Sequence, residues 1–217
     1  MILTYASIQE SQHQRLLQQD LRFLDVATRQ RLARFRRWQD AQASLLGRLL
    51  LRDNLRKYFN YELQANSIAY SPFHKPYLCD STIQFNISHS GKRVVCAVQE
   101  HTAIGVDIEQ YRPISIGDFK SQMTVNEWTY IQTAKDSLLA FYDYWTSKEA
   151  ILKVVGTGLQ IDLMSFEIPI DRAGVYLYDQ YWYLRKVELE VDYCCYVSSA
   201  LPIQRLIVDK VSDIGLI

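Results

Sequence analysis

The stretch Ile104-Gly105-Val106-Asp107-Ile108-Glu109 predicts a strand, because apolar residues alternate strictly with glycine and acidic residues. The three apolar side chains fall on one face and the two carboxylates fall on the other. Alternate residues of a strand lie roughly 7 Å apart, so Asp107 and Glu109 can bind one cation. A hard divalent cation is the usual partner of two neighbouring carboxylates. An ordinary half-buried strand with one wet face has the same pattern.

A second stretch, Trp145 to Lys153, has the spacing of a helix. Positions four apart are neighbours on a helix, so Trp145, Glu149 and Lys153 share one stripe. Together with the acidic strand, this gives three carboxylates and a lysine, a set that is typical of sites where Mg²⁺ and phosphate are handled. The alternative is a common solvent-facing pair of Glu149 and Lys153.

Composition excludes several classes of protein. The chain has 217 residues, of which 48% are hydrophobic, and 24 basic residues balance 24 acidic ones. No global charge therefore favours nucleic acid or a membrane surface as a partner. A basic helical region at 29–57 is the exception, and it fits either a solvated helix face or a polyanionic ligand.

The four cysteines form neither a C-x-x-C pair nor a zinc-binding spacing, which favours reduced thiols and a cytoplasmic protein. The N-terminal residues lack the basic start and long apolar run of a signal peptide. No apolar stretch reaches the length of about 18 residues that a membrane-spanning helix needs.

Hydrophobic periodicity predicts an α+β fold. Two similar lobes of antiparallel sheet and helices are expected, one at 1–103 and the other at 104–217, with the acidic strand near their junction. We expect Pro72 and Pro76 to prevent regular structure around them, and Gly156 and Gly158 to end the last long helix. The predicted strands are 2–8, 85–87, 93–98, 104–109, 165–168, 175–178, 181–191 and 193–199, and the predicted helical regions are 12–59, 116–123, 125–133 and 137–155.

Two further segments carry polar groups suited to an anion. Ser88 and His89 lie in a stretch, Phe85 to Gly91, that offers hydroxyl, imidazole and backbone donors. Lys75 lies between proline-restricted positions, where a lysine can make a fixed phosphate contact. A polar hairpin turn and an exposed loop lysine are the alternatives. A serine hydrolase is excluded, because adjacent strand residues point apart and no G-x-S-x-G motif is present.

These motifs, in this order and spacing, resemble those of the 4′-phosphopantetheinyl transferases of the broad-specificity, surfactin-type (Sfp-like) branch. The matching segments are Phe85–Gly91, Ile104–Glu109 and Trp145–Lys153, supported by Asp40–Gly47 and the Lys75-Pro76 loop. The resemblance covers most of the chain. It implies two α+β lobes related by a pseudo-twofold axis, with coenzyme A in the cleft between them.

The activity implied by this resemblance is transfer of the phosphopantetheine arm of coenzyme A to a serine hydroxyl of an apo-carrier protein, releasing 3′,5′-ADP. Mg²⁺ would be held by Asp107, Glu109 and Glu149. Glu149, directly or through a metal-bound water, would be the base, and Lys153 would steady the leaving diphosphate. A monomer is expected, because one two-lobed chain contains a complete site.

The resemblance also implies the contacts with coenzyme A. Lys75, Ser88 and His89 match coenzyme-binding positions of the family, with His89 on the pyrophosphate. Arg31 and Ser44 match positions near the adenosine 3′-phosphate.

The chain departs from the family at two positions near that phosphate. Thr28 stands where relatives often have a basic residue, and Ala43 stands where an arginine is common. Substitute contacts are expected from Arg34, Arg36 or Arg37.

The segment Arg112 to Met123 would help to dock the carrier protein in this family. Ile114, Ile116, Phe119 and Met123 either supply the apolar part of that surface or are buried in the second lobe. Two other classes remain possible from the residues alone: a metal-dependent nuclease, and a coenzyme-binding or carrier-docking module without catalytic activity.

Overall fold

The computed structural model of the protein describes residues 1–18, 21–157 and 161–212. The first half contains β1 (Ile2–Ser7), α1 (Glu10–Leu17), α2 (Val26–Arg34), α3 (Trp38–Phe59), β2 (Ile68–Tyr70), β3 (Pro76–Leu78), β4 (Ile83–Ser90) and β5 (Arg93–Glu100). The second half contains β6 (Ile104–Gln110), α4 (Val125–Thr133), α5 (Ser137–Val155), β7 (Gly174–Leu177), β8 (Gln180–Lys186), β9 (Tyr193–Ser199) and β10 (Ile207–Lys210). Short 3₁₀ helices occupy Ile116–Gln122 and Leu163–Ser165.

Two four-stranded sheets have the orders β10-β1-β5-β4 and β6-β9-β8-β7, and β2 pairs with β3. All pairs are antiparallel except β1 with β10. The two large sheets share one topology. In each, the first strand is followed by helices and then by a hairpin, and the second strand of the hairpin pairs with the first strand of the sheet. β1 pairs with β5 in this way, and β6 pairs with β9. The α+β architecture with antiparallel sheets is therefore confirmed.

Helices cover the outer face of each sheet. Leucines of α3 form one core with β4 and β5, and α5 forms another with β9. The inner faces form a third core, in which Leu3 and Val95 of the first sheet cluster with Val106 and Val197 of the second. The apolar face of the acidic strand is thereby buried, and its polar face turns towards α5.

Each long helix lies unusually close to a strand, and a glycine makes this possible. A Cβ at Gly105 of β6 would lie 2.3 Å from the carbonyl oxygen of Ala150 and 2.6 Å from the backbone nitrogen of Val154, both in α5. A Cβ at Gly47 of α3 would lie 2.7 Å from Cγ2 of Ile87 in β4. The glycine belongs to the strand in one case and to the helix in the other.

The helices predicted at 125–133 and 137–155 are confirmed. Gly156 ends α5 in the left-handed conformation, with φ +82°, and its N–H donates to the carbonyl of Leu152. Gly158 lies outside the described residues. No helix in the described ranges is long and apolar enough to cross a membrane.

Several local predictions were wrong. Pro76 begins β3 and does not prevent regular structure there. The region 12–59 is divided among three helices in its described part, because the Asp25 side chain caps a new helix at Val26. A 3₁₀ turn, capped by Asp162, stands at the start of the strand predicted at 165–168.

Candidate active site

Side chains of β4 reach across to the free edge of β6. The Oδ1 atom of Asn86 accepts a hydrogen bond of 2.9 Å from the backbone N–H of Val106, and Ser90 Oγ accepts one of 3.1 Å from the N–H of Gln110. Ser90 also donates to Glu109 Oε2 over 2.7 Å. Every second residue of β4 thus faces β6, and these polar contacts take the place of a backbone ladder at the edge of the second sheet.

Asp107 lies at the centre of this junction and is only 4% exposed. Its Oδ1 atom accepts hydrogen bonds from Lys153 Nζ at 2.6 Å and from Ser88 Oγ at 2.8 Å. Lys153 Nζ lies 2.8 Å from Ser88 Oγ as well. The Oδ2 atom is buried and has no hydrogen-bond partner in the described part of the chain. A buried carboxylate oxygen without a partner is costly unless a cation or donor reaches it.

The two glutamates nearby have raised pKa values. Burial is the main cause for both, and the negative charge of Asp107 adds to it. Glu109 also raises the pKa of Glu149, whereas the charge of Lys153 lowers the pKa of both carboxyls. The acids from β6 and α5 are thus close enough to repel one another, and a cation would relieve this repulsion.

No three acidic, histidine or cysteine side chains form a ready-made metal-binding group within the described residues. The ammonium group of Lys153 contacts Asp107 directly. The unpartnered Oδ2 atom and the mutual repulsion of the acids nevertheless suit a bound divalent cation. The magnesium site of Asp107, Glu109 and Glu149 stays a prediction.

Two pockets adjoin at Pro76, which lines both. The first pocket has a volume of about 220 Å³ and is lined by Lys75, Glu149 and Lys153. Residues of the segment 73–76, which we call the proline loop, also form part of its wall. The other, of about 360 Å³, lies beside α2 and α3 and is lined by three more of the predicted residues. These three are Arg31, Ser44 and His89. The two neighbouring pockets therefore contain six of the predicted residues, three in each.

The side chain of Lys75 is fixed by two hydrogen bonds, unlike the exposed loop lysine that was the alternative. Its Nζ atom donates to the backbone carbonyls of Val154 (3.1 Å) and Ile104 (3.3 Å). Burial lowers its pKa to about 8. The ammonium group interacts favourably with the C-terminal end of α5, so Lys75 also ties the proline loop to that helix.

His89 faces the larger pocket and is accessible to solvent. Desolvation by the surrounding protein lowers its pKa, and the charge of Lys153 acts in the same direction. The charges of Asp40 and Asp107 oppose this shift. The lowered pKa favours the uncharged imidazole, which can donate one hydrogen bond to an anion.

The positions that depart from the family pattern add no cation. The hydroxyl of Thr28 donates to Asp25 over 2.7 Å as part of the cap of α2, and Ala43 lines the larger pocket with a methyl group. The expected substitutes Arg34, Arg36 and Arg37 are exposed and are not among the described residues that line this pocket.

Lys148 of α5 is fully buried and was not predicted from the sequence as a functional or structural cation. Its Nζ atom lies 2.9 Å from Glu127 Oε2 and donates to the carbonyls of Leu163 and Phe166 at 2.5 and 2.9 Å. Glu127 in turn accepts from the backbone N–H of Ile168. Tyr144, Lys148 and Leu152 are spaced four residues apart and therefore share one stripe of α5. A lysine on an otherwise apolar stripe was the sequence signal that could have predicted its burial.

Of the residues proposed for carrier docking, Met123 is buried, and Ile116 and Phe119 pack against the core of the second half. Phe119 contacts Trp145 with ring centroids 5.2 Å apart. Ile114 is 38% exposed. The alternative of burial in the second lobe therefore holds for Met123, and Ile114 remains available at the surface.

Comparison with known proteins identifies the family. Residues 103–198 match the model of the 4′-phosphopantetheinyl transferase superfamily, and residues 9–101 match the 4′-phosphopantetheinyl transferase N-terminal model. The chain belongs to this family, as its motifs indicated.

Two relatives show the extent of the similarity. The 4′-phosphopantetheinyl transferase Sfp of Bacillus subtilis (strain 168) is 32% identical over 191 residues, which cover 83% of this chain and 84% of that protein. The 4′-phosphopantetheinyl transferase gsp of Aneurinibacillus migulanus is 35% identical over 153 residues, which cover 70% of this chain and 64% of that protein.

Proposed function

We propose that this protein transfers the 4′-phosphopantetheine arm of coenzyme A to a serine hydroxyl of an apo-carrier protein and releases 3′,5′-ADP. One observation carries the proposal. A pocket with cationic and hydrogen-bonding groups, lined by Arg31 and His89, adjoins a pocket that contains Glu149 and Lys153. A nucleotide needs the first kind of surface, and phosphoryl transfer needs the second.

In this reaction the serine oxygen forms a bond to the β-phosphorus, and the bond from that phosphorus to the bridging oxygen breaks. Glu149 takes the serine proton, and the burial that raises its pKa makes it a stronger proton acceptor than an exposed glutamate. Lys153 stabilises the negative charge that remains on the departing 3′,5′-ADP. Arg31, Ser44, Lys75, Ser88 and His89 orient the coenzyme.

Asp107, Glu109 and Glu149 are the residues that would hold Mg²⁺. When bound, Mg²⁺ would neutralise charge on the pyrophosphate oxygens. The buried, unpartnered Oδ2 atom of Asp107 supports this assignment. Asp107→Ala is expected to weaken Mg²⁺ binding, and wild-type affinity in a calorimetric titration would contradict it.

We further propose that residues 1–103 and 104–217 form the two lobes, with β10 of the second completing the sheet of the first, and that the carrier protein docks near the segment 112–123. This segment forms part of the wall of a cleft of about 610 Å³, to which it contributes Met123, and Val125 and Trp128 line the cleft as well. Val125 is 77% exposed and offers apolar surface at the rim of the cleft.

The test is intact-mass analysis of a panel of apo-carrier proteins from fatty-acid, polyketide and nonribosomal-peptide assembly, incubated with the protein, coenzyme A and Mg²⁺. We expect at least one carrier to gain the mass of one phosphopantetheine. A carrier whose acceptor serine is replaced by alanine is the matched control and should stay unmodified. If every carrier in the panel keeps its original mass, the proposed activity is wrong.

A further inference from the structure

Arg48 is a buried cation that the proposed reaction does not yet use. It lies in α3 and is 7% exposed. Its Nη2 atom donates to the hydroxyl of Tyr70 over 2.9 Å, whereas Nη1 is buried and has no hydrogen-bond partner among the described residues. An arginine is always charged, so a buried guanidinium with an unused donor calls for an acceptor.

The helix places this guanidinium beside the predicted nucleotide contacts. Asp40, Ser44 and Arg48 are spaced four residues apart and lie on one stripe of α3. All three line the pocket of about 360 Å³ that also contains Arg31 and His89. Asp40 is an acid on the same wall, and Asp25 is near enough for the charge of Arg48 to lower its pKa, but no ion pair within 4 Å joins either acid to Arg48 in the described structure.

The residues at positions 28 and 43 supply no positive charge to this pocket, which leaves a role for Arg48. Thr28 uses its hydroxyl in the cap of α2, and Ala43 contributes only a methyl group to the pocket. The basic side chains expected at these two positions are thus missing, and Arg48 brings a guanidinium to the same pocket from one turn further along α3.

We infer that Arg48 binds the 3′-phosphate of the nucleotide half of coenzyme A and thereby takes over the role of the cations that are missing at positions 28 and 43. A phosphate oxygen supplies the acceptor that Nη1 lacks, and the planar guanidinium suits phosphate geometry. Tyr70 positions the group through its bond to Nη2. This inference rests on the proposed function, because it assumes that the pocket receives coenzyme A.

The test compares binding of 3′,5′-ADP and 5′-AMP, which differ by the 3′-phosphate alone, in calorimetric titrations of the full chain. The wild type should prefer 3′,5′-ADP. In Arg48→Met this preference should fall by about tenfold or more, because a charge-assisted hydrogen bond is lost. Arg52→Met is the matched control, because Arg52 lies one turn away on α3 and pairs with Asp53 at 3.0 Å outside this pocket. It should keep the wild-type preference.

Two more variants make the result decisive. Ala43→Arg in the Arg48→Met background should restore the preference, because it returns a guanidinium to the same pocket. Tyr70→Phe should reduce the preference without removing a buried side chain, and it serves if Arg48→Met does not fold. An unchanged preference in folded Arg48→Met, or in Tyr70→Phe if the first variant is unfolded, would overturn the inference.

The outcome is separable from that of the carrier assay. Arg48-dependent selectivity with no modified carrier would retain the phosphate contact and reject the transfer reaction. Modified carriers together with unchanged selectivity would support the transfer reaction and reject the phosphate contact of Arg48.

Discussion

The two long helices each contain a buried cation, and the two cations differ in how many hydrogen-bond partners surround them. Lys148 of α5 is fully buried and has three oxygen partners, one of them the carboxylate of Glu127. Arg48 of α3 is 7% exposed, and its one hydrogen-bond partner among the described residues is the neutral hydroxyl of Tyr70. A buried cation whose donors reach a carboxylate and two carbonyls joins the elements around it, whereas a buried cation with an unused donor still has room for one more acceptor. Two helices at equivalent places in the fold therefore do different work.

The same division applies to the rest of the two helices. The stripe of α5 that faces β6 carries Glu149 and Lys153, which are suited to proton transfer and charge stabilisation. The stripe of α3 that faces the larger pocket carries Ser44 and Arg48, which are suited to recognition. Changes on α5 should therefore reduce turnover or stability, whereas changes on α3 should reduce selectivity for the nucleotide.

The largest expected effect comes from a variant in α5, and it tests whether this helix supplies the general base. Glu149→Gln should lower kcat by about 10²–10⁴-fold, the usual contribution of a general base, and should retain coenzyme A binding. Steady-state kinetics and calorimetric titration measure the two quantities. Asp143→Asn is the control, because Asp143 lies on the same helix and pairs with Lys186 at 2.7 Å. Unchanged turnover in Glu149→Gln would show that the base lies elsewhere.

The next effect separates the two buried cations. Lys148→Met should lower the free energy of unfolding by about 3–5 kcal/mol, because it leaves Glu127 charged and unpaired in the core. Arg48→Met should change stability by no more than about 1 kcal/mol, because it removes a single hydrogen bond to the hydroxyl of Tyr70 and breaks no ion pair within 4 Å among the described residues. Urea unfolding of both variants without ligand checks the contrast. Equal losses would mean that Arg48 is as structural as Lys148.

The glycine contacts provide a third comparison. Gly105→Ala should cost about 3 kcal/mol, the upper range for overpacking, because the new methyl group meets the backbone of α5. Gly47→Ala should cost less, because it meets the end of the Ile87 side chain and gains about 1 kcal/mol of helix propensity. Thermal and urea unfolding give both values. A smaller loss at Gly105 than at Gly47 would contradict this account.

The last effect concerns Lys75 at the end of α5 and appears only above about pH 8. Its pKa is lowered from 10.5 to about 8 in the folded protein, so between about pH 8 and pH 10 the folded state has released this proton while the unfolded state still holds it. Stability therefore rises with pH between about 8 and 10, by at most about 1.4 kcal/mol per pH unit. Lys75→Met should lack this slope in urea unfolding at several pH values. Parallel pH profiles of the variant and the wild type would refute it.

Much of the fold was predictable because its signals are local. The alternation of β6 and the apolar spacing of α5 follow directly from the residues, and the fold brings Asp107 and Lys153 together as those patterns suggested. β10 escaped prediction because its four residues gain order only by pairing with β1, about two hundred positions earlier. The unpaired donor of Arg48 was equally invisible, because one arginine among many in a basic helix shows its isolation only when the surrounding core is known.

The pairing of β10 with β1 has a further consequence for how the halves depend on each other. It is the one parallel pair among the described strands, and it attaches residues 207–210 of the second half to the sheet of the first. A chain cut after residue 200 would leave the outer backbone groups of β1 open to other molecules. We therefore expect such truncated chains to self-associate, and the intact protein to unfold in a single cooperative transition.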